Sequence, residues 1–132
     1  MREILFRGKL LSTGEWVEGN LAVSKTGVVI ITPDNTPVGK YGQVDPGTVG
    51  QYIGYVDKNG KKVFEGDVIE MAGALGRLER LIIGYEGSSF IASTPRDYRD
   101  NIGDVIDDSD YGIDVSWYAV IGNIYDKPEL LN

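Results

Sequence analysis

Acid–base chemistry in this chain must come from carboxylates, lysines or tyrosines, because its 132 residues include no histidine and no cysteine. That removes Cys–His and Ser–His nucleophile pairs, zinc sites and histidine phosphotransfer. Carboxylate acid–base work and oxygen-ligand Ca²⁺ or Mg²⁺ sites stay open. Glu65 and Asp67 flank Gly66 and form a carboxylate pair. A catalytic pair needs burial that pushes its two pKa values apart. At a turn, two carboxylates more commonly face water or cap backbone N–H groups. A run of seven aspartates, Asp97, Asp100, Asp104, Asp107, Asp108, Asp110 and Asp114, is opposed locally only by Arg96 and Arg99. Asp108, Asp110 and Gly112 suggest a hard-cation loop, but the EF-hand spacing is incomplete and no Glu closes it. The segment reads as a solvated acidic loop. Asp104, Asp107, Asp108 and Asp110 are its candidate surface for a basic partner. No metal and no cofactor is expected.

Charge narrows the partners. With 13 basic against 20 acidic residues the net charge is −7, whereas nucleic-acid affinity comes mainly from Lys and Arg at phosphates. Lys58, Lys61 and Lys62 form one small basic patch, and Arg77 and Arg80 another. Both read as solvated hairpin charges. No phosphate-binding glycine motif is present. No apolar run is long enough to span a membrane, and the N-terminus is not patterned as a signal peptide, so a cytoplasmic protein is expected. The aromatics could line a peptide groove or stack bases, but in a chain this size most must fill the core.

The elements that position these residues are strands. Eighteen glycines punctuate short runs of Val, Ile, Tyr and Thr, with turn signals at the spacing of a barrel or sandwich. Strands are expected over 4–10, 15–23 and 28–31, forming a meander. Residues 33–48, rich in Pro, Gly, Asn and Asp, read as a long loop. Strands follow over 51–56 and 61–64, joined by a tight Asn59–Gly60 turn, and then over 68–72. Residues 77–85 and 89–93 read as a hairpin, although Leu78, Leu81 and Ile82 also share a helical face. The β-branched pair Ile82–Ile83 favours strand. The polar stretch 95–114 leads to a last strand over 117–125. One helical turn then begins at Asp126, which can N-cap it. Pro128 stands there where a missing N–H costs nothing.

Three segments carry a resemblance to a known family. The first, 16–21, contains Trp16 and Gly19. The second runs from Val44, Asp45 and Pro46 through Gly54 to Asp57, Asn59, Gly60, Glu65, Gly66, Asp67 and Ile69. The third, 120–131, contains Gly122, Asn123 and Pro128. Their order and spacing resemble the YopX family of phage and prophage proteins over nearly the whole chain. The family pattern has Thr where this chain has Ile53, and Tyr where it has Phe64. The resemblance implies a core similar to small SH3-like barrels and supplies no catalytic residues. Read physically, Gly54, Gly60, Gly66 and Gly122 fall where turns, bulges or close strand approach are expected. Asp57 and Asn59 can close the hairpin through side-chain-to-backbone hydrogen bonds, and Asn123 can do the same beside Gly122.

The expectation is a mostly β protein forming one domain over 1–132, with minor helical content. An N-terminal β-meander and loop (1–43) would pack on a small SH3-like barrel portion (44–132) carrying the acidic loop 97–114. The expected function is non-catalytic: an accessory protein that binds another protein or a second copy of itself. Competing readings are a nucleic-acid module using the basic patches, and a metal-dependent carboxylate hydrolase using Glu65, Asp67 and the late aspartates.

Overall fold

A computed structural model describes residues 3–32, 40–72, 78–93, 99–101 and 118–131. The chain divides into two compact units, Met1–Gly54 and Tyr55–Asn132. The division falls within a strand. The protein is mostly β, with two antiparallel sheets whose strand orders do not close into a barrel among the described residues.

The first unit is a meander. Strands β1 (Phe6–Lys9), β2 (Trp16–Ser24), β3 (Gly27–Thr32), β4 (Lys40–Gln43) and β5 (Gly50–Val56) lie in the order β4-β3-β2-β1-β5. Alternating residues set the register. Lys9 stands opposite Trp16, and Arg7 opposite Glu18. Gly19 is obligatory by contact, since a Cβ there would run into the carbonyl oxygen of Ile31. Ile30, Val44 and Ile53 are buried in this unit.

Residues 33–48 are not all loop, contrary to expectation. Residues 40–43 form β4, with Ile30 opposite Gly42. A 3-10 turn follows at Pro46–Thr48, capped by Asp45, whose Oδ1 accepts the Gly47 N–H at 3.0 Å. Thr48 Oγ1 donates to the Asp45 carbonyl at 2.7 Å and accepts the Lys9 N–H at 2.9 Å. Composition hides this segment because its order comes from pairing, of residues 40–43 with β3 and of Val44 with Leu10, which local propensity does not encode.

The second unit begins in the last residues of β5, which lead through a tight turn to β6 (Lys62–Phe64). Strands β7 (Asp67–Ala72), β8 (Leu78–Glu86), β9 (Ser89–Ser93), β10 (Arg99–Asn101) and β11 (Tyr118–Asn123) follow, in the order β10-β9-β8-β7-β11. The helical alternative for 77–83 is excluded, since Leu81 and Ile82 pair across from Ile69 and Val68. Val63, Phe64, Val68, Ile69, Met71, Leu81, Ile83, Ala92 and Tyr118 are buried. Val68 and Ile69 both have no exposure, so β7 is covered on both faces at these two positions. Part of the expected acidic loop is strand: Asp100 pairs opposite Ala92 in β10. Asp104, Asp107, Asp108 and Asp110 lie outside the described residues.

Candidate functional site

The motif residues of the second unit fall on three turns, and each turn is organised by one polar side chain. The first is the β5–β6 hairpin. Asp57 is only 4% exposed. Its Oδ1 accepts the N–H groups of Asn59 and Lys61, both at 2.9 Å, and its Oδ2 accepts the Val120 N–H at 3.0 Å. The main chain closes the same turn: Gly60 N–H donates to the Asp57 carbonyl at 2.9 Å, and Asp57 N–H to the Lys61 carbonyl at 2.8 Å. Gly60 has φ of 79°, a left-handed conformation that glycine adopts without a Cβ penalty. Lys58 N–H donates to the Tyr118 carbonyl at 3.1 Å, and the Tyr118 hydroxyl donates to the Val56 carbonyl. The hairpin tip is thereby fastened to β11. Burial alone would raise the Asp57 pKa. The N–H donors of Val120, Lys61 and Asn59, together with the Lys61 charge, outweigh it and hold the carboxyl below its ordinary value.

The second turn joins β6 to β7. Gly66, at φ 89°, donates its N–H to the Ile83 carbonyl at 2.8 Å and accepts the Ile124 N–H at 2.9 Å. A Cβ at Gly66 would lie 2.7 Å from Cε2 of Tyr125. Asp67, 1% exposed, turns inward, and its Oδ2 accepts the Phe64 N–H at 2.8 Å. Glu65 is half-buried. The pair flanking Gly66 is therefore split, with Asp67 enclosed in the turn as a cap on the main chain.

The third turn follows β11. The β7–β11 ladder shifts register between Val120 and Gly122, a bulge that re-aims the strand end. Asn123 Oδ1 then accepts the N–H groups of Tyr125 and Asp126 at 3.0 and 2.9 Å, and its Nδ2 donates to Asp126 Oδ2 at 3.0 Å. Asn123 thus organises the turn expected to depend on Asp126. Its short amide at a strand end reaches the next free N–H groups. Pro128 opens a 3-10 helix at Pro128–Leu131. Arg80 Nε donates to Glu70 Oε2 at 3.3 Å, and Arg80 Nη1 to the Leu130 carbonyl at 3.4 Å, which ties that helix to β8. Arg80 is paired in this way although exposed, and Arg77 lies outside the described residues. Lys58 and Lys61 are exposed at the hairpin tip, with Lys62 half-buried beside them.

In the first unit, Trp16 lies under two cations, with Arg7 Cζ at 4.6 Å and Lys9 Nζ at 5.7 Å from its ring centroid. That geometry is a cation–π cluster. Gly54 has φ of 94°, and a Cβ there would meet no atom within 4 Å. Among the described residues no three carboxylates gather as a metal site, and no helix is long and apolar enough to cross a membrane.

Sequence reasoning marks Asp57, Gly66 and Asn123 but misses their partners. Tyr118, fully buried beneath the hairpin, is in the sequence only one aromatic of a strand, although two of its polar atoms hold the hairpin tip. No local pattern pairs Val56 with a residue 62 positions away.

Comparison with known proteins agrees with this frame. A family model described as YopX protein matches residues 6–132. The crystal structure of protein EF1440 from Enterococcus faecalis superposes with a TM-score of 0.65, at 25% identity and 100% coverage of both chains. No curated protein matches the chain.

Proposed function

The chain belongs to the YopX family, and on that footing we propose that it is a non-catalytic accessory protein, phage- or prophage-encoded, that acts in the bacterial cytoplasm by binding another protein. The observation that carries this reading is the Asp57 carboxylate, buried and accepting N–H groups from Asn59, Lys61 and Val120. A carboxyl held ionised by main-chain donors is a poor proton shuttle near neutral pH. Asp67 is likewise enclosed as a cap on Phe64. The motif then encodes turns rather than a reaction centre, and binding is left to other surfaces. We read the second unit as an elaborated SH3-like core, since its β7-β8-β9 meander is flanked by β11. Such cores commonly recognise peptides. The net charge of −7 favours a basic protein surface over nucleic acid, with Asp104, Asp107, Asp108 and Asp110 the proposed acidic contact.

The test is affinity capture of the tagged full chain from host lysate with mass spectrometry, followed by reconstitution with the purified partner. Binding should weaken as salt rises. It should also weaken when Asp107, Asp108 and Asp110 are replaced by Asn. Tight, salt-sensitive DNA or RNA binding through Lys58, Lys61 and Lys62 would replace this reading with the nucleic-acid one. A Mg²⁺-dependent hydrolysis abolished by Glu65→Gln would replace it with an enzyme.

A further inference from the structure

We propose that Asn59–Gly60 is a guarded site of spontaneous covalent modification: the native hairpin turn protects Asn59 from deamidation, and any opening of that turn exposes it. The dipeptide holds the right atoms. Gly60 carries no side chain to shield its amide, and Asn59 and Gly60 are both exposed to water at the hairpin tip. In the reaction the Gly60 main-chain nitrogen loses its proton and attacks Cγ of Asn59. A new C–N bond forms and ammonia leaves. Water then opens the five-membered imide at one of its two C–N bonds. Cleavage at one restores the normal backbone with a carboxylate at position 59. Cleavage at the other leaves an isoaspartyl linkage, with one extra methylene in the main chain.

In the folded turn the reacting nitrogen is engaged. Gly60 N–H donates to the Asp57 carbonyl at 2.9 Å, so removing its proton and swinging it toward the side chain both require that bond to break. The Asn59 backbone is fixed as well, because its own N–H is held by Asp57 Oδ1 at 2.9 Å. The same carboxylate holds Lys61 and Val120, so the guarded turn is also tied to β11. Modification is in turn irreversible for the guard. Either product places a second carboxylate next to Asp57. The isoaspartyl form also lengthens the segment that lets one Asp57 oxygen reach both residue 59 and residue 61. An opened hairpin is thereby kept open, and the site acts as a one-way mark of local unfolding.

The experiment compares the full chain incubated at mildly alkaline pH in native buffer with the same chain held unfolded in urea at the same pH. Peptide mapping reads ammonia loss and isoaspartyl content at position 59. The native chain should react at least about tenfold more slowly, the ratio expected for an opening cost of roughly 1.4 kcal/mol. Asp57→Asn should bring the folded rate toward the unfolded one, in step with faster hydrogen exchange at the Gly60 amide. If that variant does not fold, the native-versus-urea ratio of the unaltered chain still decides. Equal rates in the native and unfolded chains would overturn the proposal, as would an unfolded chain that accumulates no product at Asn59.

Discussion

Asp57 Oδ2 accepts the main-chain N–H of Val120 at 3.0 Å across 63 residues of sequence. Through this contact a hairpin and a distant strand share one buried negative charge. Its other oxygen closes the hairpin, so one side chain satisfies donors from two separate parts of the chain. A local turn thereby acquires a fixed place in the second unit.

Removing that carboxylate should be costly. Asp57→Ala leaves the N–H groups of Asn59, Lys61 and Val120 without their acceptor. Charge-assisted bonds of this kind contribute more than neutral ones, and a loss of about 3 kcal/mol is expected. Asp57→Asn should cost less, because it keeps one acceptor oxygen while turning an NH₂ toward a donor. Urea unfolding would measure both, and a change below about 0.5 kcal/mol for Asp57→Ala would place it among ordinary surface substitutions.

The acid limb of stability should depend on the same residue. The folded pKa of Asp57 lies below its ordinary value of 3.8. The stability it contributes is therefore complete above that value and is lost as pH falls through the lower folded one. Thermal melts should show the midpoint dropping below about pH 4. In Asp57→Asn the drop should be shallower, leaving only what the other carboxylates contribute. An unchanged acid limb in the variant would mean that Asp57 is not ionised differently in the folded and unfolded chains.

Glycine replacements should rank by what surrounds them. At Gly60 (φ 79°) nothing lies within 4 Å of a new Cβ, so Gly60→Ala should cost only the conformational strain, about 1–2 kcal/mol. Gly66→Ala adds a clash with the Tyr125 ring at 2.7 Å and should cost more, by about a further 1 kcal/mol or above. Gly19→Ala meets a backbone oxygen of the neighbouring strand, which cannot move as a side chain can. It should be the most damaging of the three. Combining Gly66→Ala with Tyr125→Ala should recover part of the loss if the ring is the obstacle, a non-additivity that a double-mutant cycle reads directly.

Tyr118→Phe isolates one hydroxyl. The ring is fully buried and its OH donates to the Val56 carbonyl, so the substitution removes a single buried donor while preserving shape. A loss of about 1 kcal/mol is expected, together with faster amide exchange at the hairpin tip. A loss confined to global stability, with tip exchange unaltered, would show that the hydroxyl does not fasten the hairpin.

The strand character of this protein is legible in its sequence. Glycine and Asn–Gly punctuation, the β-branched tail Ile82–Ile83 and the alternation in 15–23 encode local preferences, and these survive into the fold as β8, β2 and the β5–β6 hairpin. The absence of histidine and cysteine likewise limits the available chemistry whatever fold the chain adopts. Tertiary structure alone decided that β1 pairs with β5 and β7 with β11, that residues 40–43 become β4, and that residues 99–101 join β9 rather than a loop. It also decided that the Asp57 and Asp67 carboxylates turn inward. An aspartate at a turn is compatible with either water or main-chain donors. The choice depends on whether distant segments, here Val120 for Asp57, bring N–H groups and apolar cover to the same place. Sequence spacing encodes the turn, but burial of its carboxylate is a property of the assembled sheet.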